Sequence, residues 1–299
     1  MDPQQRLLLE GAAALVAARR GRGETSSSSS PSSATTANNN NSTAVFVGIQ
    51  QMEYGGLAAP HTSSSAGNGS GNGSGNVSAY SATGSAFSVA AGRVAFLFAL
   101  RGPAAAVDTA CSSALVAVHL GARHARDSVV LSSSIKKASS QSSSSSSDLL
   151  GALAGGVNLS LSQSTTAATF AAGMLSPDGR CKALDAAADG YVRAEACVLF
   201  SLVAAVVEEG KSSSAASSAS ASLAFADDDE GEEDLSASAS SSSSSLPPLA
   251  LLAGSAVNQD GRSASLTAPS GPAQAAVLSA ALEATAVVGP EAVSLLEMH

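Results

Sequence analysis

The sequence predicts a layered α/β fold broken by Ser-rich disordered insertions, and three observations carry that prediction. Short apolar runs of strand character alternate with Ala- and Leu-rich helical stretches along the 299 residues. Serine is piled into Ser26–Ser30, Ser142–Ser147 and Ser240–Ser245, runs that cannot bury enough apolar surface to offset the entropy of ordering them. Between these runs the chain returns each time to Ala, Val, Leu and Gly. Assigning residues 21–43, 61–78, 128–148 and 211–246 to low-complexity insertions leaves about 200 residues, enough to bury a core.

Residues 3–20 read as a helix, because Pro3 suits a first turn and Leu7, Leu8, Ala12 and Leu15 share a face. Ala44–Ile49 is a β-branched and aromatic run, the pattern of a buried strand. Ser85–Leu100 reads as a helix, Arg101-Gly102-Pro103 as a turn, Ala104–Asp108 as a strand and Ser112–Arg126 as a further helix. On that helix Leu115, Val118 and Ala122 share a face, which is expected to pack inward. Gly151–Leu161 reads as a strand entered through small residues. Val198–Val207, Pro248–Val257 and Val293–Met298 are three more strand candidates, and Gly271–Ala286 is a helix. The Ser-rich pieces fall between these elements, where insertions are tolerated.

Composition excludes several functions. Asp227, Asp228, Asp229, Glu230, Glu232, Glu233 and Asp234 supply seven negative charges in one solvated loop, so the net charge of −9 describes that loop more than the domain. No Lys/Arg cluster offers a face to nucleic acid. Cys111, Cys181 and Cys197 cannot all pair, and no CxxC or HxxxH accompanies them, so neither a disulfide framework nor a metal site is expected. Reduced thiols point to an intracellular, cytoplasmic or organellar compartment. The opening MDPQQRLLLEGAAALVAARR lacks a basic start and is interrupted by Glu10, which fits neither a signal peptide nor a membrane span. A soluble protein is expected, with no membrane partner.

The chemistry concentrates at Val107-Asp108-Thr109-Ala110-Cys111-Ser112-Ser113. Cys111 falls where a strand ends and a helix begins. A thiol there meets unpaired backbone N–H groups and the positive end of the helix dipole, both of which favour the nucleophilic thiolate. A structural cysteine in an Ala-rich core is the alternative. His61 lies in a linker, His119 and His124 read as satisfied or solvated rather than catalytic, and Cys181 and Cys197 read as packing residues. The turns at Ser176-Pro177-Asp178-Gly179 and Ala188-Asp189-Gly190 are too sparse for a calcium loop.

GPxxxVDTACSSxL at 102–115 resembles the β-ketoacyl synthase domain of modular polyketide synthases and type I fatty acid synthases. So do MDPQQRLLLE at 1–10, SVAAGR at 88–93, LAGGVNLSLS at 153–162 and AGMLSPDGRCKALDAAADGYVRAE at 172–195. GSAVNQDGRS and LTAPSGPAQ within 254–274 complete the set, in the family's order. The resemblance implies a thiolase-like fold of alternating α-β-α-β-α layers. It implies a partial domain: an N-terminal half with the nucleophile over about 1–210 and the start of a C-terminal half over about 247–299. MDPQQR falls inside the family's domain, and the family's EAHGTGT is met here by Glu297-Met298-His299, so both ends are expected to be cut.

The activity it implies is decarboxylative condensation. Cys111 would accept an acyl group from the phosphopantetheine thioester of an acyl carrier protein, and a malonyl-type extender would lose CO₂ and attack it. The Cys111 N–H would serve the oxyanion, and His299 would be one of two extender-binding histidines. No cofactor is expected to be bound by the domain itself. A homodimer is implied, with Ala104–Ala110 near its two-fold axis. Ala194-Glu195-Ala196 replaces the family's Gly-Glu-Gly, which would strain any backbone needing positive φ there. Two rivals remain: a condensation-incompetent homologue that dimerises or docks a carrier protein, and a cysteine hydrolase pairing Cys111 with a histidine.

Overall fold

The computed structural model describes residues 1–20, 42–51, 53–54, 57, 80–138, 151–204, 249–265, 268–285 and 289–297. His61, the acidic run at 227–234 and His299 lie outside the described residues. The elements are α1 (Pro3–Arg20), β1 (Ala44–Gly48), the single turn α2 (Ser81–Gly84), α3 (Phe87–Leu97), β2 (Ala104–Val107) and α4 (Ser113–Ala138). They continue with β3 (Gly151–Asn158), α5 (Gln163–Ala171), β4 (Ala196–Val203), α6 (Gly271–Glu283) and a 3₁₀ turn at Pro290–Ala292.

The strands form one four-stranded sheet in the order β2-β1-β3-β4. β1 pairs in parallel with β2 and β3, while β4 runs antiparallel to β3. Side chains alternate across a strand, so each sheet face has its own set. Val45, Val47, Leu153, Val157 and Leu199 point to one face and pack with Leu8, Ala12 and Leu15 of α1 and with Ala90, Ala91 and Val94 of α3. The other face carries Phe46, Gly48, Ala152, Ala154 and Gly156, beneath α4. Helices thus cover both faces, as a largely parallel sheet requires.

The face of α4 that turns inward differs from expectation. Ser113, Ala117, Gly121 and Ala125 are buried, whereas Leu115 is 75% exposed and Val118 and Ala122 are only half-buried. The reason is close approach: a Cβ on Gly121 would lie 2.8 Å from the Ala154 Cβ, and one on Gly156 would lie 2.6 Å from the Ala114 Cβ. Small residues at four-residue spacing let the helix backbone settle onto the sheet. Larger apolar side chains are displaced outward.

Four other expectations change. The helix predicted at Ser85–Leu100 starts at Phe87 and ends at Leu97, where Ala99 reverses the chain at φ 55°. α4 runs to Ala138, beyond the start of the insertion assigned to 128–148. α5 has no counterpart among the sequence expectations, because QSTTAATFA is short, carries three Thr and shows no clear apolar period. The described residues within 249–257 and 293–297 form no strand, and Leu251 stays 64% exposed. A strand persists only when a neighbour satisfies its backbone, and neither segment pairs with the sheet.

The N-terminal DPQQR is a polar knot rather than a helix start alone. Asp2 and Gln4 are buried, and the Gln4 N–H donates to the Asp2 carboxylate over 2.8 Å as a helix cap. Gln4 also accepts the Leu159 N–H over 3.1 Å, just past β3, and Gln5 accepts Arg93 of α3 over 3.0 Å. These bonds tie α1 to the sheet edge that carries the candidate site.

Candidate active site

Register sets the site's position. Gly48, Val107 and Gly156 stand level in β1, β2 and β3, so the loops leaving these parallel strands emerge together at one edge. Ligands of α/β sheets gather outside such carboxyl ends. The chain leaving β2 turns sharply through Asp108–Ser112 into α4. Ala110 sits at φ 59°, a left-handed conformation costly for a residue with a Cβ.

Local hydrogen bonds hold that turn. The Ala110 N–H donates to the Asp108 carboxylate over 3.0 Å, and the Ser112 hydroxyl donates to the Thr109 carbonyl over 2.9 Å. Cys111 is exposed at the head of α4. The first turn of α4 also rests on glycine. A Cβ on Gly48 would fall onto the Ala114 backbone, so β1 must end in glycine for the helix to start there.

His119 Nδ1 bonds the Ser255 hydroxyl at 2.9 Å, and burial followed by the charges of Arg123 and Arg126 holds its pKa below the usual histidine value. His124 Nε2 lies 3.3 Å from the Ser42 carbonyl and packs edge-on against Phe46. Each ring thus has a hydrogen-bond partner. Cys197 packs against the core, and burial, then Glu10, pushes its thiol up to about 11. Cys181 corrects its expectation: it is exposed, because the turn-rich 174–191 segment lies on the surface.

No group of three His, Cys, Asp or Glu side chains able to hold a metal occurs among the described residues. Ala194 and Ala196 adopt no positive φ, so the expected strain around Glu195 is absent; Glu195 instead accepts the Ser160 N–H over 2.8 Å.

Sequence reasoning missed two clusters. The Ser176 hydroxyl lies 2.6 Å from the Asp178 carboxylate and 2.8 Å from that of Asp189, its single proton shared between them, while Lys182 pairs with both carboxylates at 3.0 and 2.8 Å. The two apparently ordinary turns are therefore one knot. Glu53 and Arg193 form a second, largely buried pair at 3.6 Å. Burial pushes the Glu53 carboxyl up, but the Thr165 hydroxyl, the Ser162 N–H and the Arg193 guanidinium outweigh it and leave it below the usual range. No local sequence signal joins residues so far apart.

Solved ketosynthases share this fold. The ketosynthase of module 6 of the bacillaene synthase from Bacillus subtilis 168 matches with a TM-score of 0.51 and 23% identity, over 96% of this chain and 36% of that one. An oxazolomycin ketosynthase domain from Streptomyces albus JA3453 matches at 0.50 and 25%, over 82% of this chain and 31% of that one. The architecture is thus thiolase-like. The family profile for the beta-ketoacyl synthase N-terminal domain matches residues 1–130 and 135–205, and that for the C-terminal domain matches 249–299. The chain belongs to the β-ketoacyl synthase family, as a ketosynthase domain of the modular polyketide synthase type.

A phenolphthiocerol/phthiocerol polyketide synthase polypeptide of Mycobacterium tuberculosis is 37% identical over 301 residues, covering 100% of this chain and 14% of its own length. A mycocerosic acid synthase-like polyketide synthase of Mycolicibacterium smegmatis is 36% identical, covering 100% of this chain and 10% of its own length. The chain spans a small part of these relatives. Matches to both domain profiles favour a condensing transferase over a docking module without chemistry. Among the described residues, no helix is long and apolar enough to cross a membrane.

Proposed function

We propose that this chain is the condensing domain of a synthase of 3-oxoacyl-[acyl-carrier-protein] synthase type, with Cys111 as the acyl-accepting nucleophile. The Cys111 sulfur attacks the thioester carbonyl of an acyl chain presented on the phosphopantetheine arm of an acyl carrier protein. A new thioester forms at Cys111, and the carrier thiolate leaves and takes up a proton. A malonyl-type extender on a carrier then loses CO₂. The resulting enolate attacks the Cys111 acyl carbon, and the Cys111 thiolate departs from a β-ketoacyl product.

The observation that carries this reading is the exposed thiol at the head of α4, on a turn strained at Ala110 and held by side-chain hydrogen bonds. The Cys111 N–H is assigned to the oxyanion, where a preorganised donor acts most strongly. His299 is assigned to the extender on the family resemblance alone. A homodimer joined near Ala104–Ala110 is part of the proposal, supported by the place of β2 at the sheet edge.

Intact-mass measurement after incubation with an acyl thioester tests the nucleophile. Wild type gains one acyl group, and Cys111→Ala gains none. An acylated Cys111→Ala removes the assignment. An acyl group that water clears without any extender supports a thiol hydrolase instead.

A further inference from the structure

The segment 205–248, which carries the acidic run at 227–234, leaves and rejoins the fold on α4. It leaves after Val203, which pairs with Gly151 at the amino end of β3, the sheet edge opposite Cys111. A Cβ added to Gly121 of α4 would lie 3.0 Å from Leu202 Cδ1, so this strand end stands directly under the helix. The chain returns at Leu249, and Ser255 meets His119 Nδ1 of the same helix at 2.9 Å. Both ends of the segment are thereby fixed to α4 between positions 119 and 121.

Arg123 and Arg126 come next along α4. Steps of four and three residues place His119, Arg123 and Arg126 on one stripe of the helix. Burial first, then both guanidiniums, hold the His119 pKa below its usual value, which fits that common stripe. Both arginines are exposed, and among the described residues neither forms an ion pair, not even with Asp127. Arg126 lies about 8 Å along the helix axis from Gly121. Connectors as long as 204–226 and 235–248 have a mean reach of roughly 20–30 Å, so the tethers bring the acidic run within range of both arginines. Tethering of this kind gives an effective concentration on the order of millimolar, which lets exposed pairs too weak to join separate molecules form within one chain.

We propose that the acidic run 227–234 docks on the Arg123–Arg126 stripe of α4 and covers it, an interaction within one chain. Charge and place select this occupant. Asp227, Asp228, Asp229, Glu230, Glu232, Glu233 and Asp234 crowd seven carboxylates into one stretch, and the stripe offers two guanidiniums that no carboxylate of the described fold pairs with. The planar fork of arginine takes a carboxylate through two parallel hydrogen bonds. The contact is open to solvent, so salt screens it. It does not rest on acyl transfer to Cys111.

The test uses the full chain and phenylglyoxal, an arginine reagent, at low ionic strength, with each arginine followed by peptide mapping. Changing the seven acids of the run to their amides is expected to raise the modification rates of Arg123 and Arg126 by about two- to fivefold, the weight of one exposed ion pair. Salt at about 0.5 M should bring the wild-type rates to the same level. Arg180, exposed on the turn-rich surface segment, should keep its rate when the run is neutralised. A second variant identifies the partner directly. Arg123→Lys and Arg126→Lys together keep both charges and give a carbodiimide an amine to join to a carboxylate. In a mixture of light and heavy-isotope chains, cross-links from positions 123 and 126 to the run are expected within single chains and to fade in salt.

Equal rates at Arg123 and Arg126 in wild type and in the neutralised chain overturn the proposal. A rise of the same size at Arg180 overturns it too, since the run would then act through its general field rather than by docking. Cross-links that form only with Asp127 or other carboxylates outside the run, or no cross-links at all, have the same consequence. Cross-links that join only light to heavy chains make a second copy the occupant and likewise overturn it.

Discussion

The Ser113 hydroxyl donates to the Ala110 carbonyl across 2.6 Å, and the same oxygen accepts the Thr109 N–H across 2.8 Å. One buried side chain at the head of α4 thereby holds both flanks of the peptide that stores strain next to the thiol. Its place in the sequence, two residues after Cys111, looks like helix filler. Its work is to fix the backbone beside Cys111.

Ser113→Ala therefore leaves the Thr109 N–H without its acceptor, and is expected to cost about 1–3 kcal/mol of stability. Cys111 acylation should slow as well, because the turn gains freedom. Denaturant midpoints and acylation rates measured together check this. An unchanged acylation rate would show that the clamp is irrelevant to the thiol.

The seat of α4 is tested by glycines. A methyl at Gly156 would stand 2.6 Å from the Ala114 Cβ, so Gly156→Ala should destabilise by about 1–3 kcal/mol through overpacking and displace the helix. At Gly92, inside α3, an added methyl would meet nothing within 4 Å, and Gly92→Ala should stabilise by about 0.5–1 kcal/mol. Melting curves of the two variants should move in opposite directions.

Thiol accessibility separates the three cysteines. Cys111 and Cys181 are exposed, whereas Cys197 is half-buried with its thiol pushed up to about 11. Iodoacetamide at about pH 8 should label the first two and spare Cys197 until denaturant is added. Peptide mapping that finds early labelling at Cys197 would contradict its packing.

The Ser176–Asp178–Lys182–Asp189 knot has a defined pH window. The Ser176 hydroxyl, then Lys182, lowers Asp178; Lys182, then Ser176, lowers Asp189. Both carboxyls thus titrate below 3.8 in the fold, so what they contribute is full above that value and is lost as pH falls through their depressed values. Lys182 is raised above 10.5, first by Asp189, and its part is lost only as pH rises through that higher value. Lys182→Met should lower Tm equally at about pH 6 and pH 8, and the gap to wild type should close below about pH 4. A gap that persists in acid would mean that Lys182 acts through packing.

Local chemistry alone determined much of this protein. The helix over 3–20, the strand at Ala44, the Arg101-Gly102-Pro103 turn and the strand-to-helix placement of Cys111 were legible because each depends on neighbours within a few residues. The ordered DTACSS and SPDGRCK segments were legible as family signatures for the same reason. The tertiary structure decided the rest. It turned Ser113, Ala117, Gly121 and Ala125 inward in place of Leu115, because room against β1 and β3 outweighs hydrophobicity where backbones meet. It left 249–257 and 293–297 unpaired, since a strand's backbone needs a partner its own sequence cannot supply. It joined Glu53 to Arg193, whose carboxylate and guanidinium meet only once the ends of β1 and β3 stand side by side.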